Sequence, residues 1–481
     1  MKADVPRFGL LAVAVTLLSA CAQWPLPLVG PDYTSPDLAL PSGWTAPAEN
    51  RATADIARWW RQLGDPRLDA LIDAALAGSL DLRLAEARLR QARASRDQAV
   101  GGLFPSVTGS AGATRSRSAA NIGALPARTT YDAGFDAAWE IDIFGGTRRG
   151  IEAATADQAA VAADLDQVRV SLVAEVARNY IDLLSYRRRL SIARDNLASQ
   201  SETLQIVAWR YQAGLAASTD VEQARTSREQ TRAGIPDLEV GQVAAENRLA
   251  VLLGSSPGSL RVMLAGDRPF PPVPASVGAG IPADILARRP DLVAAERTLA
   301  AETARVGQRL AQRFPSLNLG ASFGWQAYSF AALGGSGSLA RSLSGSLAAT
   351  LFDGGRLKSA VAIQSAVQEQ ALIAYRSGVL TALEEVENAL AAYAADRERV
   401  EARQAAAEAA RNAAQLSRNL YQSGLADFQK VLETERTRLS AEDNLAIAEA
   451  TMRTDLIKLY KALGGGWEAG AVQEISKDRA S

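Results

Sequence analysis

The chain of 481 residues repeats itself at a fixed spacing of 210 positions, and no other feature constrains its fold as much. Phe104-Pro105-Ser106 recurs as Phe314-Pro315-Ser316, and Tyr211-Gln212-Ala213-Gly214-Leu215 as Tyr421-Gln422-Ser423-Gly424-Leu425. Leu252-Leu253-Gly254 returns as Ala462-Leu463-Gly464, and Ala85-Glu86 as Ala295-Glu296. One such match is unremarkable in an Ala-rich chain. Four in one register predict two copies of a single supersecondary unit. Between them, Pro257, Pro269, Pro271, Pro272, Pro274 and Pro282 mark a linker. The predicted organisation is a leader over 1–20, an extended leash over 21–60, a first unit over 61–254 and the linker over 255–282. A second unit over 283–466 and a tail over 467–481 follow.

Inside each copy the hydrophobic period switches twice. Residues 81–101 and 291–313 are rich in Ala, Leu, Arg and Glu at helical spacing. Pro105 and Pro315 stop those helices, because proline disfavours helical geometry in the residue before it. Alternating Ser/Thr/Gly segments come next, then long helical stretches with no proline from 127 to 235 or after 315. A helix from about Gly150 to Tyr211 would be roughly 90 Å long, which suits a coiled-coil-like bundle rather than a compact domain. Gly214 and Gly424 supply the turns, and return helices reach about 253 and 463.

The alternating segments decide the class. Tyr131, Ala133, Phe135, Ala137, Trp139, Ile141 and Ile143 fall on one face, with Asp132, Asp136, Glu140 and Asp142 on the other. Leu317, Leu319, Ala321, Phe323 and Trp325 oppose Asn318, Gly320, Ser322, Gly324 and Gln326. Leu339, Leu343, Leu347, Ala349 and Leu351 oppose Ser342, Ser344, Ser346 and Thr350, and Val107 to Thr114 forms a weaker fourth segment. A half-buried soluble strand would also alternate. Aromatics near both ends with carboxylates opposite suit a strand between lipid and a wet lumen. Four strands cannot close a barrel, and open edges are not tolerated in lipid. Several chains therefore share one barrel, two giving eight strands and three giving twelve.

The residue inventory removes most alternatives. There is no His, and Cys21 is the only Cys, so His-based triads, thiolate metal clusters and internal disulfides are all excluded. No Ser lies in a Gly-x-Ser-x-Gly elbow, so the chain is not read as an enzyme and no cofactor is expected. With 52 basic and 53 acidic residues the net charge is −1, which gives no footprint for nucleic acid. Lys2 and Arg7 precede an apolar run from Phe8 to Ala20, shorter than the roughly 20 residues of a membrane-spanning helix. The run ends in Leu18-Ser19-Ala20-Cys21, a lipobox pattern that makes Cys21 the expected lipid anchor. Ala22 at the next position lacks the Asp that retains lipoproteins in an inner membrane.

With these residues in hand, the chain resembles the outer membrane factor family of TolC-type export ducts, closest to its NodT-type lipoprotein branch. The resemblance rests on Trp59-Trp60 with Asp65-Pro66-Arg67-Leu68, and on Tyr131-Asp132-Ala133-Gly134-Phe135-Asp136 with Trp139 through Gly146. It rests further on Leu286-Ala287-Arg288-Arg289-Pro290-Asp291-Leu292 with Ala295-Glu296-Arg297. It covers nearly all of 21–466. It implies an α+β membrane protein: a homotrimer with a twelve-stranded barrel, four strands per chain, continued by a periplasmic helical tunnel of about 100 Å. It also implies a passive small-molecule efflux duct in the outer membrane, served by a periplasmic adaptor and an inner-membrane pump, RND-type by preference. A type I protein-secretion duct and a structural periplasm-spanning lipoprotein are the rival readings.

The resemblance also nominates sites. The turns at Gly214-Leu215 and Gly424-Leu425 are candidate adaptor-docking points, a plain left-handed glycine turn being the alternative. The family's periplasmic gate maps onto Gln429, Lys430 and Glu433, with Asp220 the first-copy counterpart of Lys430. The chain departs from the family's paired-acid pattern at Lys430, and an exposed helix salt bridge is the alternative there. Trp59 and Trp60 are read as packing residues rather than a ligand platform. Glu384, Glu385 and Glu387 are read as a solvated helix face. Gly145-Gly146 and Asp353-Gly354-Gly355-Arg356 lack the Lys-Ser/Thr of a phosphate loop and are expected to be strand-to-helix corners.

Overall fold

The computed structural model describes residues 27–45, 56–117, 126–274, 277, 282 and 288–467. The leader and Cys21 therefore lie outside the described residues. The chain divides into two units: residues 1–36, 89–161 and 295–375 form one, and residues 37–88, 162–294 and 376–481 the other.

Besides two short 3-10 helices, the described residues form, in chain order, α1 (Pro66–Gly78), α2 (Leu80–Gly101), β1 (Ser106–Ser116), β2 (Arg128–Ile141), α3 (Gly146–Gln212) and α4 (Ser218–Leu252). Then come α5 (Pro290–Ala311), β3 (Ser316–Ala327), β4 (Leu339–Ala348), α6 (Arg356–Gln422) and α7 (Phe428–Ala462). Helices α3 and α6 both have 67 residues and start 210 positions apart; α4 and α7 both have 35. At 1.5 Å per residue the longer pair each measure about 100 Å. Pro236 sits inside α4, where its ring removes one backbone donor from the helix. No described helix is long and apolar enough to cross a membrane.

The first unit is organised by one antiparallel sheet of order β1-β2-β3-β4. Phe135 lies opposite both Gly109 and Phe323, and Phe323 lies opposite Arg341. Directly paired residues share a face, so all odd-numbered strand positions project to one side and all even-numbered ones to the other. The odd face is apolar and open to solvent: Val107, Phe135, Phe323, Leu339, Leu343 and Leu347 are all exposed. The even face carries Asp132, Asp136 and Glu140 among Ser, Thr, Asn and Gly. The strands stop sooner than alternation alone predicts. Asp142 and Ile143 fall in the corner after β2, where Asp142 accepts from the Arg148 backbone N–H at 2.9 Å and its Nε at 3.2 Å. Ala349, Thr350 and Leu351 likewise lie beyond β4. Corner geometry overrides period-2 patterning at both places.

Each strand bottom is tied to helix. After α2 and α5 the chain makes the same tight turn, Phe104 N–H bonding Gly101 O and Phe314 N–H bonding Ala311 O, both ahead of proline. The Trp139 indole donates to Leu103 O at 2.9 Å. Gly145 takes φ +82 at the β2–α3 corner, a conformation closed to most side chains. At the β4–α6 corner, Asp353 accepts from Gly355 N–H at 2.8 Å and Leu357 N–H at 2.7 Å. These backbone donors hold its carboxyl below the usual range. The buried Arg149 binds the extended segment 27–36 through Val29 O, Gly30 O and Asp32.

In the second unit, Val173, Val176, Ala177, Tyr180, Ile181 and Leu184 of α3 recur at three- and four-residue spacing and are all buried. Trp59 stacks on Tyr460 at 5.0 Å, with Trp60 edge-on to it at 6.1 Å, so both tryptophans are core. Asp65 caps α1 through Arg67 and Leu68 N–H and receives the Tyr180 hydroxyl at 2.7 Å. Burial first, and the Asp65 bond second, raise that phenol's pKa. Arg289 reaches Glu385 at 2.6 Å and Asp291 at 2.7 Å. Glu385 is therefore half of an ion pair rather than merely a solvated face.

Candidate functional site

Two places carry the sequence-nominated residues: the sheet, with its two unlike faces, and the turns that end α3 and α6. Both turns use a left-handed glycine, Gly214 at φ +72 and Gly424 at φ +75. Leu215 N–H reaches back to Arg210 O at 2.7 Å, and Leu425 N–H to Leu420 O at 2.9 Å. This closes helix ends whose last carbonyls would otherwise be unpaired. The following leucines point outward: Leu215 is 68% and Leu425 76% exposed. Beside them Trp209 and Tyr211 are also exposed. Beneath, Val207, Ala224, Tyr421, Phe428, Val431 and Leu432 form a small core. Arg210 lies 4.6 Å over the Tyr421 ring and donates to Tyr421 O at 2.9 Å.

The four gate candidates fall into three local arrangements. Lys430 Nζ and Glu433 Oε2 meet at 3.0 Å in an i, i+3 pair with both side chains more than half exposed. Gln429 Nε2 donates to Gln223 Oε1 of α4 at 2.8 Å, joining the two hairpins. Asp220 stands apart and accepts from Ala217 N–H at 3.2 Å, so it satisfies an orphan donor at the start of α4. In the second copy Asp427 does that work, accepting from Lys430 N–H at 2.9 Å.

Sequence reasoning missed what lies deeper. Arg418 of α6 meets Glu435 of α7 at 3.0 Å, and Thr203 of α3 donates to the same oxygen at 3.1 Å. Further along, Arg438 of α7 donates to Asn196 Oδ1 at 2.6 Å, and Arg189 forks onto Asp443 at 2.7 and 3.1 Å. Apart from the Arg418–Glu435 pair, which lies within the second hairpin, these bonds run from the first hairpin to the second. A signal existed at one rung only: 210 positions earlier, Glu435 corresponds to Arg225 and Arg418 to Ala208, whereas Arg438 and Arg189 are matched by Arg228 and Arg399. Among the described residues no group of three His, Cys, Asp or Glu could hold a metal.

Comparison with known proteins meets the same picture. The family model described as outer membrane efflux protein matches residues 71–255 and again 281–465. The chain belongs to the outer membrane efflux protein family. The pyoverdine export outer membrane protein OpmQ of Pseudomonas putida is 34% identical over 472 residues, spanning 96% of this chain and 97% of the relative. Nodulation protein T of Rhizobium leguminosarum bv. viciae is 31% identical over 467 residues, covering 96% of this chain and 94% of the relative. Among solved structures, the outer-membrane channel OprN superposes with a TM-score of 0.86 at 37% identity, covering 92% of this chain and 99% of that one. The chain is thus an outer-membrane efflux channel of a Gram-negative bacterium, in a family of ducts rather than enzymes.

Proposed function

We propose that three copies of this chain close a twelve-stranded barrel and form a passive duct for small molecules. One observation carries the reading: an apolar, exposed sheet face backed by a polar one, with β1 and β4 each paired on one side only. Unpaired edges in hydrocarbon leave backbone groups unsatisfied at several kcal/mol each, so the edges of neighbouring copies close on one another. The likeness to a pyoverdine exporter supports a small-molecule cargo. The pump chooses that cargo; the duct supplies a path.

In this reading the two copies of the supersecondary unit place two helical hairpins per chain, six per trimer, in the tunnel wall. Leu215 and Leu425, held outward by Gly214 and Gly424, meet a periplasmic adaptor, and an inner-membrane pump, RND-type by preference, supplies the energy. Gln429, Lys430, Glu433 and Asp220 lie at the closed end as gate residues, and Cys21 carries the lipid anchor. Planar-bilayer conductance of the purified protein, with its native mass, tests the proposal. A trimer that conducts is the expected result, whereas a non-conducting monomer would favour a structural lipoprotein.

A further inference from the structure

Two arginines stand on the apolar face of the sheet, where the physical chemistry of a lipid-facing wall disfavours them. Arg115 lies opposite Thr129 near the hairpin end of β1, and Arg341 opposite Phe323 near the start of β4. Both positions are odd-numbered, so both guanidinium groups share a face with Phe135, Leu339 and Leu343. Both are exposed. Every carboxylate of the four strands (Asp132, Asp136 and Glu140) is on the opposite face. Neither arginine has an ion-pair partner among the described residues.

The two residues sit on the two edge strands. Resting on the trimeric-barrel reading above, β4 of one copy runs beside β1 of the next. Within one sheet the row through Ser106 passes Ala138, Gly320 and Ser344, climbing from the foot of β1 to four residues above the foot of β4. A four-strand sheet is about 19 Å wide, and a strand tilt of roughly 40° offsets neighbouring copies by about five residues. That offset sets Arg341 of one copy level with residues near 113 to 115 of its neighbour. Arg115 and Arg341 then meet across each of the three junctions. Two like charges side by side on a lipid-facing surface repel and are poorly solvated. The aromatic residues Tyr131, Phe323, Trp325 and Phe330 mark the same level as an interfacial girdle.

We infer that Arg115 and Arg341 of adjoining copies form a binding cleft for the phosphate of a phosphorylated glycolipid of the outer leaflet, one per junction. A phosphate takes bidentate bonds from guanidinium groups, removes their mutual repulsion and is supplied at headgroup depth on the outer side. The lipid then clamps the junction that closes the barrel.

The test is native mass spectrometry and thermal melting of the full-length trimer, purified in detergent and titrated with bisphosphorylated lipid A. Dephosphorylated lipid A, phosphatidylglycerol and inorganic phosphate are the comparison ligands. Wild type should retain up to three lipid A molecules and melt higher with them. Arg115→Gln/Arg341→Gln should bind about tenfold more weakly or worse, while its conductance stays at the wild-type level. Equal retention of the dephosphorylated lipid, equal stabilisation by phosphatidylglycerol or free phosphate, or full binding by the double variant would each overturn the assignment. A conducting wild-type trimer that retains no glycolipid rejects this inference and leaves the duct standing. A chain that neither trimerises nor conducts rejects both.

Discussion

Arg418 and Glu435 meet at 3.0 Å with the glutamate side chain only 3% exposed, and Thr203 of the other hairpin donates to the same carboxylate oxygen. One oxygen thus links three long helices. Removing one partner of a buried ion pair costs far more than the pair itself contributes, because the remaining charge stays desolvated. Glu435→Ala should therefore destabilise this contact by about 3 kcal/mol. Faster amide exchange around residues 199–203 and 418–435, in a trimer of unchanged mass, is the expected readout. Glu435→Leu with Arg418→Met should restore much of the protection.

Asp396 of α6 is buried beside Asp455 of α7, with Arg399 and Lys458 as the neighbouring cations. Burial first, and the Asp455 carboxylate second, push its carboxyl up to about 6 against an ordinary value of 3.8. A pKa raised in the folded state means that the native protein binds this proton more tightly than the unfolded chain. The associated stability is fully present below about pH 4 and is lost as pH rises toward 6. Asp396→Asn should flatten that slope and raise the melting temperature at pH 8 relative to wild type. Melting curves at pH 4, 5, 6 and 8 check it; parallel curves for the two proteins would contradict the assignment.

Gly134 faces Gly324 across β2 and β3, and a Cβ on Gly134 would lie 2.9 Å from Gly324 Cα and from Phe323 O. Neither obstacle is a flexible side chain. Gly134→Ala should lower the yield of assembled, heat-resistant trimer in the membrane fraction. Gly109→Ala is the control: its Cβ would meet only the Phe135 ring at 3.5 Å, an ordinary contact, and assembly should be unaffected.

Asp132 and Asp136 lie on the carboxylate face of β2, which is the channel side in the barrel reading. Rings of acidic side chains favour cations in a pore. Reversal potentials in a salt gradient should show cation preference in wild type and a reduced preference in Asp132→Asn/Asp136→Asn.

The exposed Lys430–Glu433 pair contributes only a few tenths of a kcal/mol to helix stability, so variants there should fold normally. Gln429→Ala with Glu433→Ala should raise single-channel conductance and sensitise cells to vancomycin-sized solutes without loss of trimer. Unchanged conductance in a folded double variant would locate the constriction elsewhere.

Strand faces, helix stops and glycine turns were legible because each depends on local rules: period 2, the residue before proline, and positive φ. Tyr131 to Ile141 needed nothing beyond their own spacing to be placed. Beyond the charge divergence at Arg418 and Glu435, the ladder was not legible, because Thr203–Glu435 and Asn196–Arg438 each join positions more than 200 residues apart and use residue types that solvated helices also carry. The strand ends failed for a related reason. Asp142 continues the alternation on paper, yet its carboxylate is engaged by Arg148 in the corner. Alternation cannot report a competing hydrogen bond.

The one-sided pairing of β1 and β4 also sets a hazard in time. A newly exported chain carries two templating borders and a broad greasy surface, and each can capture the wrong neighbour before two correct ones arrive. In the trimeric reading proposed above, closure through a reversible dimer is third order in chain, whereas a stray pairing is second order. Dilution therefore starves the correct product more steeply than the errors. A cell making this protein sparingly has to shelter the lone chain or hold its search to a surface, so that encounter rate rather than final stability limits how many channels it owns.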